Sequence, residues 1–98
     1  MIPSEDAPYH ATRPLLTGHF NETSGYRAMR QNGVSDWLLI HTLSGRGRFG
    51  HASGDMVAEP GDWVLLRPGT RHDYGVEPGL QRWELVWAHF LPRAEWLD

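Results

Sequence analysis

From Tyr26 onward the sequence alternates short apolar stretches with pairs of turn-forming residues. The pairs are Asn32-Gly33, Ser44-Gly45, Ser53-Gly54, Pro60-Gly61, Pro68-Gly69 and Pro78-Gly79. Glycine allows backbone conformations with positive φ, asparagine and serine bond nearby backbone groups, and proline presets φ for a turn. Short apolar runs that are interrupted in this way predict antiparallel β-strands joined by turns. We therefore expect an all-β protein.

The apolar stretches between the turns define the predicted strands. They are residues 26–31, 37–43, 45–51, 55–59, 63–67, 73–76 and 82–90. Successive side chains of a strand point to opposite faces of the sheet. One face of the last strand carries Trp83, Leu85, Trp87 and His89, and the other carries Glu84, Val86, Ala88 and Phe90. Both faces are partly apolar, which predicts that one lines a barrel interior while the other packs against a neighbouring layer.

Composition narrows the class of protein further. A chain of 98 residues suffices for one compact domain with one core. No apolar run approaches the roughly 20 residues of a membrane span, and the N-terminus is polar and acidic, unlike a signal peptide. We therefore expect a cytoplasmic protein without a membrane partner. The chain has no cysteine, which excludes disulfides and thiolate metal sites, and its formal net charge of -3 argues against a nucleic-acid-binding surface.

The two ends of the chain differ from its central part. Residues 1–18 contain three prolines among polar residues with no sustained period, which predicts an extended N-terminal arm. Residues 19–92 then form the barrel. Residues 93–98 follow Pro92, and we interpret them as the start of a C-terminal helix that continues in a longer parent protein.

A motif in the second half of the chain indicates the kind of barrel. Pro60-Gly61-Asp62 turns the chain into an apolar strand, and the Asp62 side chain is expected to stabilise that turn. Pro68-Gly69 turns the chain out again, and His72 and Tyr74 then point to the same side of the next strand. This run resembles the second conserved motif of cupins, small β-barrel proteins in which the histidine is often a metal ligand.

A cupin metal site needs further ligands, which the earlier strand does not supply. That strand contains His51 without a second histidine two residues away, so the H-x-H pair of metal-binding cupins is missing. Catalytic metal sites need three or four convergent ligands, and we therefore expect no metal, no cofactor and no catalytic residue. One alternative stays open, because the histidines at positions 41, 51, 72 and 89 could gather in the folded barrel and bind zinc or nickel.

A longer series of motifs extends from Leu15 to Trp96. It comprises Gly25-Tyr26, Arg30 before Gly33, Gly45-x-Gly47, Pro60-Gly61-Asp62-x-x-Leu65, Pro68-Gly69-x-x-His72-x-Tyr74-Gly75 and Trp83-x-x-x-Trp87-x-x-Phe90-x-Pro92-Arg93-Ala94-x-x-Trp96. In order and spacing this series resembles the N-terminal sugar-binding and dimerisation domain of AraC-type transcription regulators. The resemblance implies a cupin-like, jelly-roll antiparallel β-barrel that holds a small-molecule effector under an N-terminal arm. It also implies a homodimer in the full-length protein, with dimerisation helices and a helix-turn-helix DNA-binding domain beyond Asp98, so that DNA is contacted only through those parts.

The resemblance further implies which side chains contact the effector, a sugar or another small polar molecule. Arg30, Tyr74 and Trp87 match sugar-contacting positions of the family. Their chemistry suits a sugar, because an arginine fork donates to ring oxygens, a tyrosine hydroxyl donates or accepts, and a tryptophan face stacks on the apolar side of a pyranose. His72 completes this part of the predicted ligand site, chiefly as part of its scaffold.

Two predicted ligand-site residues depart from the family. Leu85 stands where arabinose-binding members have a histidine, and Phe20 stands where they have a threonine. Both changes remove hydrogen-bonding capacity. A pocket that lacks a hydrogen-bonding group selects differently among hydroxylated ligands, so we expect an effector other than arabinose that carries fewer hydroxyl groups.

Other interpretations compete with an effector-sensing domain. A small stand-alone metal-dependent cupin enzyme, such as a sugar isomerase or oxygenase, would share the fold. A purely structural dimerisation domain would fill its barrel with its own tryptophans, since bulky aromatics commonly fill small barrels. At the residue level, Trp87 could be plain core, Arg30 a solvated charge at a strand end, and Tyr74 a hydroxyl bonded to backbone.

Overall fold

The computed structural model of the protein describes residues 15–91, which form eight strands and a single 3-10 turn. The strands are β1 (Leu15–Thr23), β2 (Arg27–Arg30), β3 (Trp37–Gly45), β4 (Gly47–Phe49), β5 (Met56–Ala58), β6 (Trp63–Leu66), β7 (His72–Gly75) and β8 (Arg82–Phe90), and the 3-10 turn is Pro78–Leu80. The all-β prediction is confirmed. Each predicted strand agrees with an observed strand to within two residues at both ends.

The strands form two four-stranded antiparallel sheets. One sheet has the order β1-β8-β3-β6 and the other the order β2-β7-β4-β5. Most successive strands belong to opposite sheets, so the chain crosses repeatedly from one layer to the other, as in a jelly roll. The predicted cupin-like antiparallel barrel is therefore confirmed. Within residues 15–91, no helix has the length and hydropathy that crossing a membrane requires.

Strand β1 begins earlier than the predicted barrel. Residues 15–18 fall in the stretch that the sequence predicts as an arm, but they pair with β8, from Leu15 opposite Phe90 to Gly18 opposite Trp87. Much of β1 is polar, so its sequence shows no clear alternation of apolar and polar residues. Its strand conformation depends on the hydrogen bonds that it forms with β8 along one edge. Residues 1–14 of the predicted arm and the predicted helix start at 93–98 lie outside the described residues.

The core lies between the two sheets and is built from alternate side chains of each strand. In β8 the predicted inner face is confirmed, because Trp83, Leu85, Trp87 and His89 are all buried. From the opposite sheet, Phe49 meets the edge of the Trp83 ring with 5.4 Å between centroids, a favourable geometry for aromatic pairs. The Trp83 indole Nε1 donates to Thr42 Oγ1 at 2.9 Å, so its buried polar atom is satisfied.

The conformations of the observed turns agree with the turn positions predicted from the sequence. Gly33 and Gly45 have φ values of 62° and 69°, and at both positions a Cβ would collide with a main-chain carbonyl of another segment. A larger residue would therefore suffer both strained φ and overlap. The carboxylate of Asp62 accepts a hydrogen bond from the Glu59 amide at 2.8 Å, which confirms its predicted role in stabilising the turn before β6.

Candidate functional site

A cavity between the two sheets brings most of the predicted ligand residues together. Its lining residues are Phe20, Tyr26, Arg30, Leu38, Ile40, Tyr74, Leu85, Trp87 and His89. Five of the six side chains proposed from the sequence are in this set, and the sixth, His72, hydrogen-bonds one of them. These residues come from β1, β2, β7 and β8, so both sheets contribute to the cavity.

The cavity is small. Its volume is about 10 Å³ when measured over the positions that the centre of a water molecule can occupy, which is room for about one water. Pockets that hold small molecules typically measure about 300–1,000 Å³. A sugar-sized ligand therefore enters only after some of the lining side chains, or the strands that carry them, move apart.

One wall of the cavity is apolar. Phe20 of β1 lies directly opposite Leu85 of β8 in the antiparallel register, and Leu38 and Ile40 of β3 line the same cavity. The Phe20 ring packs against the Trp87 indole with 5.4 Å between centroids. The two predicted departures from the family thus lie side by side, and together they make this wall unable to hydrogen-bond a ligand.

Strand β1 leaves space for the Trp87 indole at a glycine. Gly18 pairs with Trp87, and a Cβ on Gly18 would overlap the six-membered part of the indole. The indole therefore lies against the bare backbone of β1. Any movement of β1 away from β8 would change the environment of Trp87.

The opposite end of the cavity is polar and centres on Arg30. Arg30 pairs with His72 in the register of β2 and β7, and its Nη1 donates to His72 Nδ1 at 3.2 Å and to Tyr74 Oη at 3.4 Å. Arg30 is therefore a half-buried member of the interior rather than a solvated charge at a strand end. Its guanidinium holds two of the other predicted ligand residues in place.

His72 is neutral near pH 7. It is fully buried, and burial lowers its pKa to about 4, an effect to which the positive charge of Arg30 and the nearby His89 add. Because Arg30 donates to Nδ1, the single proton of the neutral ring resides on Nε2. Among residues 15–91 this Nε2 has no hydrogen-bond partner.

The sequence did not single out a second buried polar pair beside the cavity. His89 Nδ1 donates to Asp36 Oδ1 at 3.2 Å, and both residues are buried. Burial lowers the pKa of His89, although the Asp36 carboxylate opposes this shift. The alternation of β8 placed His89 on the same face as Trp87, but no local signal marks Asp36, which precedes β3.

The four histidines considered as a metal site do not converge. His72 and His89 lie in the interior, whereas His41 stacks on Trp63 with 4.0 Å between ring centroids and bonds the Asp62 carbonyl. His51 lies in the exposed segment after β4, where its Nδ1 meets Ser53 Oγ at 2.8 Å. In the part of the chain that the structure describes, no group of three histidine or carboxylate side chains could hold a metal ion.

Comparison with known proteins identifies a family for this sequence. A family model of the AraC-like ligand-binding domain matches residues 13–97. The arabinose operon regulatory protein of Salmonella typhimurium is 34% identical over 99 aligned residues, which cover 87% of this chain and 35% of that protein. The MmsAB operon regulatory protein of Pseudomonas aeruginosa is 32% identical over 90 residues, which cover 87% of this chain and 29% of that protein. The chain thus spans about a third of the length of these relatives.

Solved structures with low sequence identity share the fold. The cupin domain of an XRE-family transcriptional regulator from Enterobacter cloacae superimposes with a TM-score of 0.67 at 12% identity, over 90% of this chain and 93% of that one. The iron(II) form of HppE gives 0.65 at 12% identity, over 79% and 46%. One fold thus accompanies different functions, and these likenesses concern architecture alone. Because the family model spans nearly the whole sequence and operon regulators are its relatives by sequence, the chain belongs to the AraC-like ligand-binding domains.

Proposed function

We propose that this chain senses a small polar effector in the cavity between its two sheets and thereby controls an attached DNA-binding domain of an AraC-type transcription regulator. The observation that carries the proposal is the meeting of Arg30, Tyr74 and Trp87 in one interior cavity. Three side chains that suit a sugar were identified from the sequence on three different strands. Their common position supports a shared ligand.

The two ends of the cavity favour an amphipathic effector. Arg30 and Trp87 both line the cavity and carry hydrogen-bond donors, and among the described residues the buried Nε1 of Trp87 has no partner. Phe20 and Leu85 close the other side with apolar surface. A sugar or polar metabolite with one apolar face and fewer free hydroxyl groups than arabinose fits this division.

The closed cavity suggests how binding is transmitted. Strand β1 carries Phe20 and Gly18 and lies at the edge of its sheet, so it is paired along one side only by β8. Opening the cavity by displacing β1 would also move the chain that precedes Leu15. A ligand changes such an equilibrium only if it binds one state more tightly than the other, and the small size of the closed cavity supplies that difference.

Thermal unfolding in the presence of sugars and small polar metabolites tests the proposal. A ligand at roughly 100 times its dissociation constant should raise the free energy of unfolding by about 2.7 kcal/mol. Arg30→Ala and Trp87→Ala should abolish the shift while circular dichroism still reports a folded β protein. Trp63→Ala is the matched control, because Trp63 is 63% exposed on the outside of the barrel. A full shift in both interior variants would refute the proposed site.

A purely structural dimerisation domain is the second candidate, and the small cavity volume favours it. In that case Trp83 and Trp87 are simply core, and the barrel binds nothing. The same screen separates the two functions. A ligand-induced shift that Arg30→Ala abolishes excludes the structural role, whereas a set of compounds without any effect, together with an interior that stays closed in crystals soaked with them, supports it.

A further inference from the structure

The two buried tryptophans of β8 differ in the state of their indole nitrogens. Trp83 and Trp87 lie on the same inward face of the strand. Trp83 Nε1 donates to Thr42 Oγ1 at 2.9 Å, whereas Trp87 Nε1 is buried and has no hydrogen-bond partner among residues 15–91. Buried polar groups are hydrogen-bonded in most proteins, so the unpaired donor of Trp87 calls for a reason.

Strand β3 supplies an acceptor to one of these nitrogens and an apolar side chain beside the other. In the register of β3 and β8, Thr42 lies opposite the residue two positions after Trp83. Leu38 lies opposite the residue two positions after Trp87, so it occupies the equivalent place. A leucine side chain cannot accept a hydrogen bond, and Leu38 lines the ligand cavity together with Trp87. The unpaired nitrogen thus belongs to the part of the interior where the proposed ligand binds.

Strand β1 leaves this nitrogen uncovered by any side chain at Gly18. Gly18 lies opposite Trp87, and a Cβ added to it would be 2.8 Å from Nε1. Its φ is not positive, so the backbone conformation does not require glycine. Glycine within a strand often marks the close approach of a ligand or of another part of the protein. Gly18 therefore has a steric role beside the indole nitrogen.

The rings around Trp87 affect how a ligand can contact it. Phe20 packs against the indole with 5.4 Å between ring centroids, and His89 meets it almost perpendicularly, also at 5.4 Å. A sugar that stacks where Phe20 packs would have to displace that ring. Movement of β1 away from β8, which the proposed function invokes, would open space beside Nε1 without moving a side chain of Gly18. A single ligand oxygen could then reach the nitrogen.

We propose that Trp87 is a specificity-determining residue that donates a hydrogen bond from Nε1 to an oxygen of the effector, at the place that Gly18 leaves free of side chains. The inference rests on the proposed function and names one requirement of the ligand, an acceptor oxygen beside the indole. It assigns the contact to the nitrogen edge of the ring system rather than to its face. An effector with only apolar surface at this place would leave the donor unpaired in the complex as well.

An isosteric replacement of the indole tests the donor. Benzothienylalanine carries sulfur in place of the N–H group and keeps the two fused rings, so Trp87→benzothienylalanine removes the donor while preserving packing and stacking. Aldopentoses and aldohexoses are titrated calorimetrically into both proteins. A sugar that binds wild type should bind the variant about five- to tenfold more weakly, because one hydrogen bond is lost. Trp63→benzothienylalanine is the matched control and should bind as wild type does, since Trp63 is 63% exposed on the outside of the barrel.

A second measurement uses the wild-type protein. In the complex, nuclear Overhauser contacts should connect the Nε1 proton of Trp87 with carbon-bound protons of the sugar. The Nε1 proton of Trp83, which is bonded to Thr42, should show no such contacts. The signals of the five indoles are assigned with single Trp→Phe variants. Sugar contacts confined to the carbon-bound ring protons of Trp87 would indicate stacking and overturn the donor role.

The outcomes separate this inference from the proposed function. If a sugar binds wild type and Arg30→Ala abolishes that binding, but Trp87→benzothienylalanine binds the sugar as tightly as wild type does, the role of Nε1 is wrong and the sugar site stands. If no sugar binds the wild-type protein, the proposed sugar-sensing function and the contact at Nε1 fail together.

Discussion

At the scale of single residues, one charged side chain in the interior determines the orientation of its polar neighbours. Arg30 donates to both His72 and Tyr74, so a single guanidinium orients two polar rings that the sequence places on a different strand. A guanidinium has donors but no acceptor. Every group that it contacts is therefore turned to present an acceptor toward it, and the remaining donor of His72 points elsewhere in the interior.

The buried state of His72 predicts a loss of stability in acid. Its pKa is about 4 in the folded protein and 6.5 when unperturbed, so the unfolded chain takes up a proton first as the pH falls. Well above pH 6.5 the ring is neutral in both states and the contribution is constant. Between pH 6.5 and about 4 the folded state is progressively destabilised, by about 2.5 kcal/mol at pH 4.5. Urea unfolding at pH 7.5 and 4.5 measures the difference.

A substitution isolates this contribution from those of other titrating groups. His72→Gln cannot be protonated, so its free energy of unfolding should fall less between the two pH values than that of wild type. The exposed residue His51 provides the control, and His51→Gln should keep the wild-type pH dependence. Equal pH dependence in His72→Gln and wild type would show that His72 does not titrate as described.

At the scale of strands, charged residues connect β4, β7 and the segment that follows β7. Arg48 of β4 bonds Asp73 of β7 at 2.9 Å and Glu77 at 2.8 Å, and both Arg48 and Asp73 are nearly buried. Their mutual hydrogen bond raises the pKa of the arginine and lowers that of the aspartate. Arg27 and Arg71 also contact the Asp73 carboxylate, each at 3.4 Å, so the carboxylates of this cluster are paired with arginines within the fold.

The contact between β4 and β8 predicts a steric effect. Gly47 faces the Trp83 indole across the interior, and a Cβ at this position would overlap the ring. Trp83 is fully buried and its indole donates a hydrogen bond to Thr42, so displacing the ring to make room for a methyl group would cost free energy. Gly47→Ala should therefore lower the free energy of unfolding by about 1–3 kcal/mol, as measured by urea denaturation.

Another glycine provides the reference for that substitution. Around Gly79 no atom lies within 4 Å of the position of an added Cβ, so Gly79→Ala should change stability by no more than about 0.5 kcal/mol. The two variants introduce the same methyl group, at Gly47 against the Trp83 ring and at Gly79 into open space. Equal effects in both would contradict the packing of Trp83 against Gly47.

At the scale of the whole molecule, the two faces of the first sheet have different roles. Its inner face closes the cavity, whereas its outer face carries apolar side chains around Leu39 and Val86, with Trp63 and Leu65 at least half exposed. The sequence predicted a neighbouring layer on this side. Among residues 15–91, Trp63 and Leu65 are at least half exposed on this face.

Metal content distinguishes a sensor from a metalloenzyme experimentally. A catalytic metal needs at least three protein ligands on one site, and no such group exists among the described residues. Protein purified without an affinity tag should therefore contain far less than one metal ion per chain by elemental analysis. Stoichiometric metal that disappears in His72→Gln would instead favour the cupin enzyme.

Local features of the sequence were sufficient to predict the seven strands from β2 to β8 but not β1. The turn-forming residue pairs and the two-residue alternation of β8 involve only residues that are close in sequence. They can therefore be recognised from the sequence without knowledge of the fold. The family motifs extended that prediction to Arg30, Tyr74 and Trp87, which line the cavity together. Strand β1 was placed partly in the arm, because its strand conformation depends on an edge of β8 that is far away in sequence.

The state of the interior depended on contacts between distant segments. Asp36 and His89 are 53 positions apart, and no periodicity links a residue before one strand to a residue near the end of another. The cavity volume, the orientation of His72 by Arg30 and the apolar contact of Phe20 with Leu85 likewise arise where strands meet. Side-chain packing between the sheets depends on the combined volumes of all side chains in the core. A pattern of apolar and polar residues along the sequence does not show which of these side chains pack together.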